Sequence, residues 1–337
     1  MSTHLSALGF EAPRAMATGG SSFLMQNLGL MCFGFDLAAD TLPCNPSFIA
    51  MKREGRLKAS IFLGNNVSYT QEASDLLNER ASEETIRHLF SEQDRSEFET
   101  NLEAGYWGQT WGAAISPVRL NYMTTFRNPA LPEITLFASQ EESARLQFGT
   151  YLGNDLFTGV QLRAVHRKFI SKQFFLTDAL ANDGDRFFET DNQSILYIEP
   201  GLLYAPENHK WNPLLFFNIV NFGLVDKTQD AFPMRPQYHI GSSVALDVGL
   251  GRWGVGIDLA WDNNVTSALE PLTAASFYEF GILRLLGHIS ERSNSVGFQV
   301  SSVFFNIGLA SQAKTVDDGW DNKITDRRLY LLLGAEI

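Results

Sequence analysis

Large apolar side chains alternate with small or acidic ones along the whole of Trp253–Trp261. Gly254, Gly256 and Asp258 take even positions, so one face is apolar and the other polar, which is the period of a β-strand. Eight steps of roughly 3.3 Å separate the two tryptophans by about 26 Å. The apolar band of an outer-membrane barrel is about 25 Å tall, is bounded by aromatic residues and has a polar lumen face. The segment is therefore predicted to be one membrane-spanning barrel strand.

The same alternation recurs on both sides of short turns. Residues 238–250 lead through Gly251 into the strand above, and residues 146–152 lead through 153–155 into 156–169. Further strands are predicted near 57–68, 98–107, 110–126, 133–141, 192–203, 211–224, 270–290, 295–311 and 327–337. About 12–14 such strands predict an all-β fold, a transmembrane antiparallel β-barrel. The residues predicted for its aromatic girdle are Trp107, Trp111, Trp253 and Trp261.

Two kinds of segment do not alternate. The first is 1–52, which is rich in Gly, Ala and Met and is predicted to form a plug in the lumen, with the barrel at 53–337. The second comprises long polar loops predicted at about 71–97, 172–191 and 312–326, the first with helical spacing after Ser82. The run 211–222 is apolar on both faces, which either a bulge or an apolar patch in the lumen would explain.

Composition supports a membrane barrel. Hydrophobic residues make up 45% of the 337 residues and charged residues only 19%, below the quarter that is usual in soluble proteins. No run approaches the ~18 consecutive apolar residues of a membrane-spanning helix. The net charge of −12 argues against nucleic acid as a partner. The first ten residues lack the features of a secretory signal, so this numbering is expected to start near the mature end. The alternative class is a large soluble β-sandwich or barrel.

Several short motifs resemble the FadL/PorV-like outer-membrane barrels. The residues that carry the plug motif are Arg14, Gly19, Gly20, Asp40, Asn45 and Pro46. Residues 47–49 depart from the Ala-Gly-Leu that usually follows Asn-Pro, whereas 155–163 and 216–223 resemble barrel strands of that superfamily. The resemblance implies about 14 strands with the N-terminal segment folded into the lumen. FadL-type members take up hydrophobic solutes, and PorV-type and conjugal-transfer-type members serve secretion or transfer systems.

Few residues suggest chemistry. The six histidines are scattered, and a barrel-embedded lipid hydrolase would need His166 within reach of a nucleophile, so no catalytic residues are predicted. The lumen-facing candidates Gln161, Arg163, Asp247 and Asp258 could tune ion selectivity or pair with one another and with the plug. Cys32 and Cys44 are either bridged or two buried thiols. No cofactor or resident metal is predicted. Loop Ca²⁺ at 182–185 or 317–322 is the remaining option, because oxygen ligands cluster there.

These features predict a non-enzymatic barrel of the bacterial outer membrane, surrounded by outer-membrane lipid. The first functional hypothesis is a plugged accessory or scaffold component that engages a protein partner in an envelope system for secretion, transfer or motility. The alternative is a FadL-type passive transporter of hydrophobic small molecules. The acidic segment 71–99 slightly favours the first hypothesis, because transport does not require such an extra surface.

Overall fold

The computed structural model describes most of the chain. The described residues are 23–37, 41–51, 55–64, 69–78, 96–127, 133–179, 188–206, 210–226, 236–261, 269, 271–291, 293–317 and 323–336. The helices are α1 (Phe23–Leu28), α2 (Tyr69–Leu77) and α3 (Leu176–Ala179), with 3-10 helices at Gly29–Phe33 and Pro46–Met51. No helix within these ranges is long and apolar enough to cross a membrane.

Fifteen strands form one antiparallel sheet. The first eight are β1 (Arg56–Gly64), β2 (Ser96–Trp107), β3 (Trp111–Arg127), β4 (Glu133–Gly153), β5 (Leu156–Phe175), β6 (Asp191–Tyr204), β7 (Leu214–Val220) and β8 (Gly223–Asp226). The others are β9 (Gln237–Val248), β10 (Gly251–Trp261), β11 (Leu272–Phe280), β12 (Leu283–Ser290), β13 (Ser293–Ser301), β14 (Phe305–Asp317) and β15 (Lys323–Glu336).

The sheet closes into a barrel of 14 strands. Strands β7 and β8 pair with successive parts of β6 and are separated by Asn221 and Phe222, so they occupy one position in the barrel wall. With β7 and β8 counted as one position, each strand pairs with the next along the chain, and β15 returns to pair with β1, Leu331 opposite Leu63. Closure leaves no open sheet edge, which a bilayer requires because lipid cannot hydrogen-bond to free backbone groups.

The predicted hairpins are confirmed at one end of the barrel. Two-residue turns join β4 to β5 and β9 to β10, and Asn154 and Asp155 adopt the left-handed φ values of 52° and 61° that a tight hairpin needs. Short turns mark the periplasmic end of outer-membrane barrels. The strand ends joined by longer connections, such as those of β1 and β2 at Gly64 and Ser96, lie at the opposite end.

Several predicted strand limits are wrong. The stretches 133–141 and 146–152 form one strand of 21 residues, whereas 270–290 and 295–311 each contain parts of two strands. The predicted loop at 312–326 is largely strand, because β14 runs to Asp317 and β15 begins at Lys323. Strands that rise beyond the apolar band no longer need an apolar outer face, so their polar residues imitate loop sequence. The helix predicted after Ser82 lies outside the described residues.

Three of the four predicted girdle tryptophans face outward. Trp253, Trp261 and Trp111 are 42–44% exposed, whereas Trp107 is 3% exposed and packs inside the barrel against Leu42. The prediction for Trp107 is therefore wrong. Trp107 precedes the turn at an inward position of β2. Its neighbour Tyr106 faces outward and contacts the Trp111 ring.

Fluorescence quenching by brominated lipid should distinguish these tryptophans. In liposomes of brominated phospholipid, a variant that keeps Trp111 as its only tryptophan should be strongly quenched, and one that keeps only Trp107 should be quenched little. The reason is that bromine in the acyl chains contacts only the outer face of the wall. Equal quenching of the two variants would contradict the inward position of Trp107.

Candidate functional site: the barrel lumen

The N-terminal residues 23–37 and 41–51, here called the inner segment, lie within the barrel. They contact β12–β15 at α1, β10 and β11 at the first 3-10 helix and β3–β6 at the second, and inward-facing glycines of the wall such as Gly308 and Gly159 approach them closely. Eight apolar or sulfur-containing side chains of the segment are almost completely buried; they are Phe23, Leu24, Leu28, Met31, Cys32, Leu42, Phe48 and Ile49. Most of this buried surface becomes a core that the segment shares with the wall.

Glycines in the wall allow the inner segment to approach closely. A Cβ atom added to Gly308 would lie 2.5 Å from the Phe23 ring, and one added to Gly256 would lie 2.3 Å from the Met31 methyl group. Both distances are shorter than real Cβ contacts, so a larger side chain at either position would have to displace the Phe23 ring or the Met31 methyl group. The small residues on the polar face of β10 thus allow neighbouring side chains to pack closely against the strand. Gly254, for example, makes room for the Phe277 ring of β11.

Three glycines in register, here called the glycine row, form the seat of the second 3-10 helix. Gly149 on β4 pairs with Gly159 on β5, which pairs with Gly201 on β6. A Cβ on Gly159 would lie 2.4 Å from the carbonyl carbon of Pro46, and a Cβ on Gly201 would lie 2.5 Å from Asn45 Oδ1. The backbone of the Asn-Pro dipeptide therefore rests directly on the sheet.

Asn45 also fixes the local conformation of the inner segment. Its Oδ1 accepts the Ser47 backbone N–H at 2.9 Å, and its Nδ2 donates to the Phe33 carbonyl at 3.3 Å. The structure thus gives Asn45 and Pro46 of the plug motif a structural role. The other members of that motif, Arg14, Gly19, Gly20 and Asp40, lie outside the described residues.

A disulfide joins Cys32 and Cys44 within the inner segment, with 5.8 Å between their Cα atoms. It links the first 3-10 helix to the stretch before the second. Closing a loop of this length removes unfolded-state entropy worth about 2–3 kcal/mol. The bridge restricts the segment internally and forms no covalent link to the wall.

One half of the inner wall carries most of the buried apolar side chains of the lumen, together with buried polar ones such as His239, Asp258 and His288. Its buried apolar side chains are Phe62, Leu203, Leu214, Phe216, Val220, Ala245, Ala275, Phe277, Leu286, Ala310, Tyr330 and Leu332. Phe216 explains why 211–222 is apolar on both faces: its ring fits over Gly34 and Gly241, while Leu215 and Phe217 face outward. An apolar patch inside the lumen thus accounts for this run.

The other half, formed by β2–β6, is charged and paired. Arg163 donates from Nη2 to Glu199 Oε1 at 2.8 Å and to Asn221 Oδ1 at 2.7 Å, and its guanidinium lies 4.2 Å from the centre of the Tyr197 ring. Gln161 donates to the other Glu199 oxygen and accepts from Gln147. The Glu199 carboxylate thus accepts hydrogen bonds from both side chains, and these bonds offset the cost of burying its charge.

A second cluster centres on Glu141. Arg167 Nε donates to Glu141 Oε1 at 2.6 Å, and Arg119 Nη1 donates to Oε2 at 3.3 Å while its Nη2 reaches Glu99 at 3.1 Å. Arg145 pairs with Glu103 at 2.5 Å on the same inner face. Together these contacts form a continuous layer of ion pairs along one side of the lumen.

The predicted lumen-facing residues separate into three environments. Gln161 and Arg163 belong to the ion-pair layer. Asp258 is fully buried and lies 3.1 Å from Nδ1 of His239, whose ring contacts Phe33 of the inner segment. Asp247 lies on the inward series of β9, but it is exposed near the short turn.

Sequence reasoning missed Arg119, Glu141 and Glu199. Glu141 and Glu199 fall on inward positions that alternation could have found. Arg119 could not be found that way, because a bulge shifts the register between Ser116 and Arg119 and reverses the alternation.

The lumen shows little provision for metal chemistry. In the part of the chain that the structure describes, no three His, Cys, Asp or Glu side chains come together as metal ligands. The Ca²⁺ candidate 182–185 falls outside the described residues, as does most of 317–322. The ion pairs described above neutralise each other, so this half of the wall forms a compensated surface.

Comparisons with known proteins give no match by sequence but clear ones by structure. No protein-family model matches the chain, and no curated protein does. The toluene transporter TbuX of Ralstonia pickettii superposes with a TM-score of 0.53 at 9% identity, covering 95% of this chain and 98% of that one. A mutant of TodX, a monoaromatic hydrocarbon channel, gives 0.51 at 10% identity, with coverages of 94% and 97%. A Pseudomonas aeruginosa FadL homologue gives 0.49 at 9%, covering 95% and 98%.

These likenesses concern the fold. Near-complete coverage of both chains means that the whole barrel, and not one sheet of it, is shared with TbuX and TodX. The chain is therefore a FadL-like outer-membrane β-barrel in architecture, and its place is the outer membrane. The structural neighbours are transporters and channels.

Proposed function

We propose that this chain is a passive channel for hydrophobic small molecules across the outer membrane, with the inner segment as its gate. The observation that carries the proposal is the large apolar cluster that one half of the lumen wall shares with an inner segment rich in phenylalanine and leucine. Water-filled barrel channels have polar interiors. An apolar wall inside the barrel suits a solute that leaves water readily.

Both halves of the wall hold the inner segment with hydrogen bonds, but the apolar contacts are concentrated on one side. On the charged side, Gln147 donates to the Pro43 carbonyl at 2.9 Å and Arg145 to the Thr41 hydroxyl at 3.4 Å. On the other side, Ser243 donates to the Gly34 carbonyl and Ser295 to the Asn27 carbonyl, each at 2.7 Å, beside the large apolar cluster that the segment shares with the wall. Apolar contacts are not directional, so a hydrophobic solute can replace them while the polar contacts keep the segment in place. The proposed route therefore runs between the segment and the apolar wall.

The names of the structural neighbours agree with this proposal. TbuX is a toluene transporter and TodX a monoaromatic hydrocarbon channel. For this chain we propose only the general class of transported molecule, which is a compact apolar solute. The ion-pair layer argues against selective ion passage, because its charges are already compensated.

The scaffold hypothesis draws no support from the described structure or from the neighbours. Helix α2, which begins the acidic segment that favoured it, packs on the outer face of the barrel wall, so its apolar side is already used. Extraction in mild detergent separates the two hypotheses: a stoichiometric protein partner would support the scaffold, and a barrel that purifies alone with apolar molecules bound would support the channel.

Uptake by intact cells tests the channel directly. Gram-negative cells that carry the chain should take up a fluorescent apolar probe such as N-phenylnaphthylamine faster than cells with an unrelated barrel of equal abundance. Uptake of a sugar of similar size should be the same in both. Intact cells are needed because phospholipid vesicles admit such probes without a channel. Equal rates for the apolar probe would overturn the proposal.

A further inference from the structure

Three polar side chains lie in one row on the outer face of the wall. Glu142 on β4 is directly opposite His166 on β5, which is directly opposite Ser194 on β6. His166 Nδ1 lies 2.9 Å from Ser194 Oγ, and Glu142 and His166 are exposed. Side chains opposite each other on antiparallel strands have Cβ atoms about 4.5–5.5 Å apart, so the Glu142 carboxylate is within reach of the imidazole.

The row lies where the outer face changes from apolar to polar. Just below it, towards the short turns, the outward residues are Ala164 on β5 and Leu196 on β6; just above it they are Lys168 and Asn192. Ten residues of β5 separate His166 from the turn, which at a tilt of 35–45° raises it roughly 25 Å, the height of the apolar band. The row therefore lies at the outer interface, the depth at which ester bonds join lipid acyl chains to their head groups.

An outward-facing groove of about 560 Å³ runs along this row. Ala144 and Ala164 pair in register and leave a depression between the larger Ile115 and Leu196. The bulge in β3 brings Pro117 to its rim, and bulges recur beside active sites because they re-aim side chains. The volume is within the range of small-molecule sites, and the lining suits an acyl chain.

Above the groove the outer face is covered. Ile170, the next outward residue of β5 after Lys168, packs in a cluster with Leu120 and with α2. Glu72 of α2 accepts a hydrogen bond from Tyr122 at 2.7 Å. Helix α2 thus covers the wall above the groove, and the groove itself lies on the uncovered outer face. A membrane lipid can reach it by lateral diffusion.

We infer that Ser194, His166 and Glu142 form a serine-hydrolase site that cleaves acyl esters of membrane lipids. Ser194 Oγ attacks the ester carbonyl carbon while His166 takes the hydroxyl proton. The carbonyl carbon–oxygen bond to the alcohol then breaks, and the alcohol leaves with the proton from His166. Water hydrolyses the acyl-serine by the same route, releasing the fatty acid and restoring Ser194. Glu142 acts as the positioning residue that orients the imidazole and stabilises its charged form.

This inference differs from the sequence-based expectation of a non-enzymatic chain. It arises because β-barrel register brings together residues that are 24 and 28 positions apart in sequence, a relation that sequence spacing does not show. Polar groups that face lipid are costly and mark functional sites more often than structural ones. The site is on the opposite side of the wall from the proposed channel, so either function can fail without the other.

The test uses the full chain, purified in detergent, with chromogenic esters of short and long acyl chains. The wild type should hydrolyse the long-chain ester faster, because the groove is apolar. Ser194→Ala should lower kcat by at least about a thousandfold, and Glu142→Gln should lower it at least about tenfold with little change in KM. A fluorophosphonate probe should label Ser194, identified by peptide mass. The matched control is Ser276→Ala, a serine in an outward groove on β11 that is hydrogen-bonded to Trp253 and has no histidine partner.

Each outcome decides the inference. Hydrolysis and labelling that are lost in Ser194→Ala and His166→Phe but kept in Ser276→Ala would support it. Absence of both hydrolysis and label in the wild type would overturn it, as would equal hydrolysis by Ser194→Ala. A Glu142→Gln variant with wild-type kcat would remove Glu142 from the site. The resistance of the folded barrel to SDS in unheated gels shows that each variant has folded.

Discussion

Gly159→Val is expected to unseat the inner segment and open the lumen to ions. The added Cβ would lie 2.4–2.6 Å from the backbone of Pro46 and Ser47, closer than any real Cβ contact. Backbone atoms cannot relieve such a contact by a change of rotamer, as the end of a flexible side chain can. The neighbouring Gly149 and Gly201 leave the segment no room to shift along the row, because it contacts both.

Planar-bilayer conductance measures this effect. The wild type should show little ion current because the proposed gate blocks the lumen, and the valine variant should show discrete open-channel steps. Overpacking of a close contact costs about 1–3 kcal/mol, so the segment should also lose protection from proteolysis. Gly223→Ala is the matched control, since its Cβ would meet its nearest neighbours at 3.8 Å, an ordinary contact. Wild-type conductance in the valine variant would show that the glycine row does not hold the gate.

Glu199→Leu is expected to be the most destabilising single substitution in the charged half of the lumen. It removes the carboxylate that receives Arg163, Gln161 and the Asn221 backbone N–H, all of them buried. Breaking a buried pair by removing one partner typically costs about 3–5 kcal/mol, because the remaining charge is left without compensation. Urea unfolding in liposomes, followed by tryptophan fluorescence, measures the change in the free energy of unfolding.

A double variant separates the cost of an orphaned charge from the value of the pair. Arg163→Leu combined with Glu199→Leu should recover most of the lost stability, since buried pairs replaced by apolar residues are often neutral. The exposed pair of Lys172 and Asp191, 4.0 Å apart, is the control. Asp191→Asn should change stability by less than about 1 kcal/mol. If the double variant were as unstable as Glu199→Leu alone, Glu199 would contribute mainly through its other partners.

Local rules predicted most of the wall. Trp253 and Trp261 mark the two ends of an outward face, and Asn154 and Asp155 make the tight turn expected of them. The pairing of strands that are consecutive in the chain followed from those turns, because a two-residue turn places the two strands that it joins side by side. The disulfide of Cys32 and Cys44 was one of two alternatives from the sequence, and the structure contains it.

The candidate sites were less predictable, because they depend on register between strands. The inner segment meets the wall where Pro46 lies on Gly159, more than a hundred residues away in sequence, and no local pattern marks either residue as the partner of the other. The bulge after Ser116 reverses the inward and outward series of β3, so Arg119 reads as lipid-facing in sequence and forms buried ion pairs in the barrel. Trp107 was misplaced by one position for a similar reason, since beside a turn neighbouring residues face opposite sides.

By itself, the sequence determined most of the outer face of this protein: the presence of the strands, the tight hairpins and, away from bulges and turns, the side that each strand turns to lipid. The physical reason is that hydrophobic alternation has a period of two and is local, and that the bilayer imposes the same requirement on every strand. Only the tertiary structure decided the interior and the lipid-side groove. Which segment fills the lumen, which charges neutralise each other and which serine lies beside His166 all depend on register and closure, which bring together residues that the sequence keeps apart.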